Sequence, residues 1–264
     1  MNRRTLAALA ASLIVALGAA SSLSAQQVLK VGATAVPHAE ILEQVKDELA
    51  AKGIKLEIVE LSDYVTPNLA LADRQLDANF FQHRPYLESF ASERKLSLES
   101  VVAVHVEPLG LYSRKYKSLE ALPAKALIAL PNDPTNEGRA LVFLQSKGLI
   151  KLREGAGLKA TPKDIAENPR GFKFKELEAA QLPRTLKDVA ASIINGNFAL
   201  QAGLNPVRDS LALEGGESPY ANVLVARSGE AKDPRILALA QALTSQKVKD
   251  FILKTYGGGV VPAF

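Results

Sequence analysis

The chain has 264 residues, a formal net charge of +4 at pH 7 and no cysteine. This small charge excess comes without a basic-aromatic motif, so we expect no nucleic-acid partner. The composition excludes disulfides, thiolate metal sites and cysteine nucleophiles, and the fold must therefore depend on its hydrophobic core. The length is sufficient for one large domain or two small ones.

The first 25 residues have the order of a secretory signal peptide. Arg3 and Arg4 precede an uncharged segment over residues 6–20, and small residues follow up to Ala25. That segment is shorter than the roughly 20 residues of a membrane-spanning helix. We therefore predict cleavage after Ala25, by either the general or the twin-arginine export route. Because a lipid anchor would need a cysteine at the cleavage site, the sequence predicts a periplasmic chain that has no lipobox cysteine and is not membrane-anchored.

Strand-like and helix-like segments alternate along the remaining chain, which predicts α/β layers with largely parallel sheets. In chain order, the pattern predicts a strand over 28–32, a helix over 37–53, a strand over 55–61, a helix over 68–76 and a strand over 77–81. An apolar segment over 100–113 fits either a strand pair or a crossing between lobes. The second series is a strand over 126–131, a helix over 136–148, a strand over 172–177, a helix over 183–194, a strand over 221–226 and a helix from 233 past 251. Two such series indicate two lobes rather than one sheet.

Motifs of nucleotide-binding and hydrolytic enzymes are absent from the sequence. The three histidines, His38, His83 and His105, lie in separate segments without the spacing of a zinc site. His38 follows a proline at a helix start and is predicted to be a capping or surface residue. His105 lies in an apolar strand and is predicted to be a core residue with satisfied hydrogen bonds. We therefore expect no metal and no other cofactor.

The segment ANFFQHRPYL, residues 78–87, places aromatic side chains directly after a predicted strand. Phe81, His83 and Tyr86 lie where α/β proteins form ligand sites, and Tyr64, at the end of a neighbouring strand, can reach the same place. Such an aromatic cluster suits an aliphatic or thioether group, because sulfur–aromatic contacts are favourable. The alternative is a loop whose aromatic residues fill the core of a lobe.

The segment PNDPTNEGRAL, residues 131–141, follows a strand and opens a helix capped near Asn136. Arg139 then lies in the first helical turn, where the helix dipole disfavours a cation. Either Arg139 and the helix N-terminus together bind an anion such as a carboxylate, or Arg139 is exposed and pairs with Glu137.

Two asparagines lie near predicted element ends or inside a strand. Asn195 is interpreted as a cap at the end of a helix. Asn222 lies inside an apolar strand pattern and needs a hydrogen-bond partner, which is either a ligand or a neighbouring backbone group.

Several phrases of this sequence, taken in order, resemble the periplasmic methionine-binding proteins of the NlpA lipoprotein family. They are VGATAVPHAEIL, DANFFQHRPYL, PNDPTNEGRAL, LEAAQLPR, INGNFA, ESPYANVLV and GGGVVPAF, and they extend from about Val28 to Phe264. The resemblance implies a type II periplasmic binding protein, with two α/β lobes, a hinge of two chain crossings and ligand in the cleft. It implies a first lobe over 26–112 plus 220–264 and a second lobe over 113–219, after the signal peptide over 1–25.

The resemblance also implies a non-catalytic receptor that binds L- or D-methionine and delivers it to the permease of an ABC importer. Residues that match the family's ligand site are Tyr64, Phe81, His83 and Tyr86 for the side chain, Arg139 for the carboxylate, and Asn195 and Asn222 for the α-amino and carboxylate groups. Two alternatives stay open. One is a methionine-containing dipeptide or another apolar amino acid as ligand, and the other is an enzyme with His83 as general base.

Overall fold

The structure is a computed structural model that describes residues 26–215 and 219–264. The predicted signal peptide and its cleavage site lie outside these residues. Within the described ranges, no helix has both the length and the apolar character needed to cross a membrane.

The predicted strands are confirmed to within two residues at each end. The observed strands are β1 (Gln27–Ala33), β2 (Ile54–Glu60), β3 (Ala78–His83), β4 (Leu98–Val106), β5 (Gly110–Tyr112), β6 (Leu127–Pro131), β7 (Lys151–Leu152), β8 (Ile165–Glu167), β9 (Lys173–Leu177), β10 (Ala191–Ile194), β11 (Ser210–Leu213), β12 (Ala221–Arg227) and β13 (Val261–Pro262). The apolar segment over 100–113 contains both β4 and β5, and the chain leaves one sheet and enters another between them.

Two large sheets divide the described chain. One has six strands in the order β13-β4-β12-β3-β1-β2, and the other has five in the order β11-β5-β10-β6-β9. Parallel pairing is confined to β1 with β2 and β3, and to β6 with β9 and β10. β12 pairs antiparallel with β3 and β4, and β5 pairs antiparallel with β10 and β11. The prediction of largely parallel sheets is therefore wrong, because six of the ten strand pairings of the described residues are antiparallel. Two of the six arise because β12 returns late in the chain and inserts between β3 and β4.

Helices cover both sheets. They are α1 (Glu40–Glu43), α2 (Lys46–Ala51), α3 (Thr66–Ala72), α4 (Arg84–Arg94), α5 (Pro134–Ser146), α6 (Leu182–Thr185), α7 (Gly196–Gln201), α8 (Pro206–Asp209), α9 (Pro234–Leu243) and α10 (Gln246–Tyr256), with a π-helical turn over Ala35–Ala39 before α1.

Three helix predictions are wrong. The helix expected over 37–53 is a π-helical turn over Ala35–Ala39 followed by the separate helices α1 and α2. The helix expected over 183–194 ends at Thr185, and Ala191–Ile194 forms β10, a fully buried strand between β5 and β6. A short, fully apolar strand has no alternating pattern that separates it from a helix. The last predicted helix is two helices, because the Ser245 side chain accepts a hydrogen bond from the Val248 N–H and starts α10 anew.

Each large sheet has its own hydrophobic core. Leu29, Leu42 and Leu239 are fully buried in the core beside the six-stranded sheet, and Ile128 and Leu141 are fully buried beside the five-stranded sheet. The chain passes between the sheets twice, over residues 107–109 and again between β11 and β12. The predicted two-lobed α/β architecture is confirmed, and we call the lobe of the six-stranded sheet the first lobe and the other the second lobe. β5 pairs within the second sheet although it precedes the predicted lobe boundary at 112, and the boundaries themselves stay a prediction.

Candidate functional site

A cavity lies between the two lobes. All seven residues singled out in the sequence line it: Tyr64, Phe81, His83, Tyr86, Arg139, Asn195 and Asn222. Most of them follow the carboxyl ends of parallel strands, which is where open α/β sheets form binding sites. Five further residues line the same cavity: Gln82, Glu107, Asn136, Gly196 and Asn197.

Aromatic rings form one wall of the cavity. The ring centroid of Tyr64 lies 6.0 Å from that of Phe81 and 5.8 Å from that of Tyr86. The Tyr86 hydroxyl donates a hydrogen bond of 2.8 Å to the Tyr64 carbonyl, which holds the two rings in place. The ring centroid of Phe198, in the second lobe, lies 5.0 Å from that of Tyr64. The aromatic contacts therefore continue across the cleft. The rings of Tyr64, Phe81 and Tyr86 therefore line the cavity and do not only fill the core of a lobe.

His83 is neutral and fully engaged in hydrogen bonds. Its Nδ1 accepts from the Tyr86 backbone N–H at 3.1 Å and caps α4. Nε2 therefore carries the proton and donates to Asn136 Oδ1, also at 3.1 Å, across the cleft. Burial, with a contribution from Arg139, lowers the pKa of His83 to about 3. A histidine with both ring nitrogens occupied and so low a pKa is a poor general base.

A buried amide network fixes β3 from behind the cavity. Gln82 Nε2 donates to Asn68 Oδ1 at 2.7 Å, and Asn68 Nδ2 donates back to Gln82 Oε1 at 2.8 Å. Asn79 Nδ2 also donates to Asn68 Oδ1, at 2.8 Å. The network ties α3 to β3 and so sets the positions of Phe81 and His83. Polar groups buried in this way are stable only when they are paired, and these are.

Arg139 faces the cavity from α5, which begins two residues earlier than predicted. Asp133 is the N-cap and accepts from the Asn136 N–H at 2.9 Å, so Arg139 lies in the second helical turn rather than the first. The alternative of an exposed Arg139 paired with Glu137 is wrong. Arg139 is buried, its Nε donates to Glu214 Oε1 at 3.2 Å, and its Nη2 donates to Glu214 Oε2.

Two more contacts hold the Arg139 guanidinium. Its Nη2 donates to the Glu107 carbonyl at 2.9 Å, and its Cζ lies 4.1 Å from the ring centroid of Tyr220. Glu214 and Glu107 flank the two crossings between the lobes. Arg139 is thus fixed at the hinge while its guanidinium forms part of the cavity wall.

The asparagines leave one acceptor and one donor unpaired among the described residues. Asn195 is the N-cap of α7, not the end of a helix, and its Nδ2 donates to Asn136 Oδ1 at 2.8 Å. Its Oδ1 is buried without a partner. Asn197 Oδ1 accepts from the Tyr64 hydroxyl at 2.6 Å, and its Nδ2 is buried without a partner. Since buried polar groups are nearly always paired, these two atoms indicate where polar groups of a ligand belong.

His38, His105 and Glu107 form a buried cluster beside the cavity, which corrects two predictions. His38 is neither a cap nor a surface residue: its Nδ1 bonds to Thr34 Oγ1 at 2.7 Å, and its Nε2 faces Asn222 Oδ1 at 3.2 Å and Glu107 Oε1 at 3.3 Å. His105 is a core residue as predicted, but only its Nε2 is paired, at 2.8 Å from Glu107 Oε1. Burial lowers the pKa of His38 to about 4 and that of His105 to about 3.

The donor atoms of this cluster lie within 4.8 Å of one another, close enough to hold a metal ion. However, His105 Nε2 lies 2.8 Å from Glu107 Oε1, and His38 Nε2 lies between Glu107 Oε1 and Asn222 Oδ1, at 3.3 Å and 3.2 Å. With a proton on each Nε2, both histidines hydrogen-bond to these oxygens, and the carboxylate has donors on Oε1 without a metal ion. The cluster is therefore a hydrogen-bonded group that positions Glu107 and, through His38, Asn222.

Sequence reasoning missed Glu107, Asn136 and Asn197 as cavity residues. Asn136 was interpreted as a helix cap, although its side chain joins both lobes through His83 and Asn195. Asn197 follows Asn195 within the phrase INGNFA, and that spacing at a helix start could have been taken as a signal. Glu107 was part of an apolar segment, where a single carboxylate before a proline was the available signal.

This arrangement defines a class of protein. Two α/β lobes, two crossings and a cavity with aromatic and polar walls between the lobes are the features of a type II solute-binding protein. The comparisons with known proteins agree, and the model of the family described as NlpA lipoprotein matches residues 29–264. This chain belongs to the NlpA lipoprotein family.

Individual relatives cover most of this chain. Membrane lipoprotein TpN32 of Treponema pallidum (strain Nichols) is 42% identical over 234 residues, 88% of this chain and 87% of that protein. Methionine-binding lipoprotein MetQ of Bacillus subtilis (strain 168) is 41% identical over 244 residues, 90% of this chain and 89% of that protein. The solved structure of a nutrient binding protein from Burkholderia cenocepacia bound to methionine has a TM-score of 0.87 at 46% identity, over 89% of this chain and 100% of that one. The protein is accordingly a binding protein and not an enzyme.

The location predicted from the sequence needs a correction. A chain free of any membrane anchor is contradicted by these comparisons, because the matching family and its curated relatives are lipoproteins. The chain has no cysteine, but free diffusion does not follow from that composition. A location of this protein outside the cytoplasm is consistent with its lipoprotein relatives.

Proposed function

We propose that this protein is the substrate-binding component of an ABC importer, and that it binds methionine in the cavity between its lobes and delivers it to the membrane permease. Two unpaired groups carry this proposal, the acceptor on Asn195 and the donor on Asn197. They lie in one cavity with Arg139 and a wall of aromatic rings. An amino acid supplies an ammonium donor, a carboxylate acceptor and an apolar side chain, which are the three complements of that cavity.

Each predicted site residue has a role in the proposed complex. Tyr64, Phe81 and Tyr86 surround the thioether side chain, and His83 joins them through its contact with Asn136 across the cleft. Arg139 binds the ligand carboxylate with those guanidinium N–H groups that do not donate to Glu214 or to the Glu107 carbonyl. Asn222 accepts from His38 through Oδ1, so its amide N–H groups are the ones suited to a carboxylate. Asn195 Oδ1 accepts from the ligand ammonium.

The lobe assignment is part of the same proposal. With a first lobe over 26–112 plus 220–264 and a second over 113–219, the hydrogen bonds from His83 to Asn136 and from Tyr64 to Asn197 both cross the cleft. Such bonds form only when the lobes are closed. Opening of the hinge would break them and release the ligand.

The names of relatives favour methionine, since those with a stated ligand are described as methionine-binding or as bound to methionine. A methionine-containing dipeptide is the second candidate. An open groove shares Tyr64 and Tyr86 with the cavity and continues past Asp63, Asp133 and Glu178, where a second residue could lie.

A calorimetric screen tests the proposal. Ligand-stripped protein would be titrated with the apolar amino acids in both enantiomers and with methionyl dipeptides. We expect one-site binding that is tightest for methionine. Norleucine, which replaces the sulfur by a methylene, should bind more weakly, because the sulfur–aromatic contacts are worth roughly 0.3–1.5 kcal/mol each. Tighter binding of a dipeptide would favour the second candidate, and no binding of any of these ligands would refute both.

A further inference from the structure

Glu107 is the one carboxylate among the described residues that line the cavity. It lies at the first crossing between the lobes and is only 6% exposed. Nothing in the sequence pattern assigned it a function. A buried carboxylate is costly unless hydrogen bonds or a positive charge stabilise it, so its presence in the wall of a binding cavity requires an explanation.

Neighbouring groups hold the Glu107 carboxylate in the wall of the cavity. His38 Nε2 lies 3.3 Å from Glu107 Oε1, and His105 Nε2 lies 2.8 Å from the same oxygen. Oε2 lies on the side of Gly196, where a Cβ atom would come within 3.2 Å of it and within 2.7 Å of Glu107 Cβ. Residue 196 must therefore be glycine for Glu107 to lie so close to the start of α7.

The unpaired acceptor of Asn195 belongs to the residue directly before Gly196. A carboxylate and an unpaired amide oxygen thus meet at the same end of the cavity, and both are hydrogen-bond acceptors. Burial raises the pKa of the Glu107 carboxyl above its usual range, against the opposing effects of His38, the Asn197 backbone N–H and Arg139. A ligand cation at this place would favour the ionised form of Glu107 and supply a donor to the unpaired Asn195 Oδ1.

We propose that Glu107 binds the α-ammonium group of the ligand together with Asn195 Oδ1, and so makes a free amino group a condition of binding. His38 and His105 act as positioning residues, because their Nε2 atoms hold Oε1 of the carboxylate. The inference rests on the proposed function, since it assigns one end of the amino acid to a residue. It predicts that the protein rejects ligands that keep the carboxylate and the thioether but lack the amine.

The test compares methionine with 4-(methylthio)butanoate, which is methionine without its amino group, by calorimetry. Truncation of one partner in a buried charge pair typically weakens binding by a factor of roughly 30 to several thousand. We therefore expect wild-type protein to prefer methionine by about 100-fold or more. In Glu107→Gln, which preserves shape and removes the charge, this preference should fall by about tenfold or more.

Glu137→Gln is the matched control, because Glu137 is also buried but does not line the cavity. It should keep the wild-type preference. Thermal unfolding without ligand checks that both variants are folded. If Glu107→Gln does not fold, Glu107→Asp keeps a carboxylate beside the two histidines but withdraws it by one methylene, and it should also lower the preference.

The outcomes separate this inference from the proposed function. A preference that falls in the Glu107 variant and persists in Glu137→Gln supports the assignment. Methionine binding with an unchanged preference in the Glu107 variant overturns the assignment and leaves the proposed function intact. Equal affinity of wild-type protein for the two ligands also overturns it. A wild-type protein that does not bind methionine at all refutes the proposed function and this inference with it.

Discussion

Replacing Arg139 by alanine is expected to weaken methionine binding by a factor of roughly 30 to several thousand, because the ligand carboxylate loses its cationic partner in a closed cavity. The structure adds a second effect. Arg139 also pairs with Glu214 and donates to the Glu107 carbonyl, so the substitution leaves these groups without their donor even when no ligand is bound. Because the Glu214 side chain is 18% exposed and can be partly hydrated, we expect a moderate stability loss of about 1–3 kcal/mol.

Calorimetry would give the affinity and thermal unfolding the stability. Arg139→Lys keeps the charge but loses the planar guanidinium that reaches Glu214 and the Glu107 carbonyl together. Its affinity for methionine should lie between those of the wild type and Arg139→Ala. Arg153→Ala is the matched control, since Arg153 is exposed and pairs with Asp164 away from the cavity. An unchanged affinity in Arg139→Ala would limit Arg139 to its structural contacts with Glu214 and the hinge.

Acidification from about pH 6.5 to about pH 4 is expected to destabilise the ligand-free protein strongly. The folded state holds His38, His83 and His105 neutral, with pKa values of about 4, 3 and 3, against an ordinary value of 6.5. Between these values the unfolded chain binds protons that the folded protein does not, so the free energy of unfolding falls as the pH falls. Each histidine contributes up to about 1.4 kcal/mol per pH unit.

Glu107, Glu137 and Asp133 oppose this effect, because burial raises the pKa of each of these carboxyl groups, that of Glu137 to about 7. The raised pKa of Glu107 means that the folded protein takes up a proton more readily than the unfolded chain, which adds stability as the pH falls through the range just above 4.5. Carboxyl groups with lowered pKa values, such as Asp164, act only at lower pH, below about 4. The net loss of stability toward pH 4 is therefore smaller than the three histidines alone would give.

Urea unfolding followed by circular dichroism at about pH 7.5, 6.5 and 5.5 measures this dependence. His105→Gln provides the control, because glutamine can still donate to Glu107 but does not titrate. The slope of stability against pH in this variant should be lower by up to about 1.4 kcal/mol per pH unit. The same slope of stability against pH in wild-type protein and in His105→Gln would contradict a neutral, buried His105.

The sequence predicted those parts of the fold and site that depend on local patterns. Strands β1, β2, β3 and β6 have apolar runs followed by turn or cap residues, so their ends were found to within two residues. The aromatic segment after β3 and Arg139 after β6 were recognised because ligand sites of α/β proteins follow strand ends. All seven candidate residues line one cavity, although their individual roles stay predictions.

The features that were missed depend on contacts between distant segments. His38 precedes α1, while His105 and Glu107 lie at the end of β4, and β12, inserted between β3 and β4, places Asn222 beside His38. No periodicity within a segment reports such an insertion. β10 was taken for the end of a helix, because its four residues are all buried and carry no alternation. Glu214 as the partner of Arg139 lies 75 residues away in the sequence, where no local rule connects them.

The most direct measurement of the central claim is the identity of the ligand that the protein carries from the cell. Dissociation must wait for the hinge to open, so bound ligand should survive purification. Denaturing purified protein and analysing the supernatant by mass spectrometry, with chiral chromatography for the enantiomer, identifies that ligand. We expect free methionine at a substantial fraction of one mole per mole of protein. A different amino acid or a dipeptide at near-stoichiometric amount would contradict the assignment of methionine.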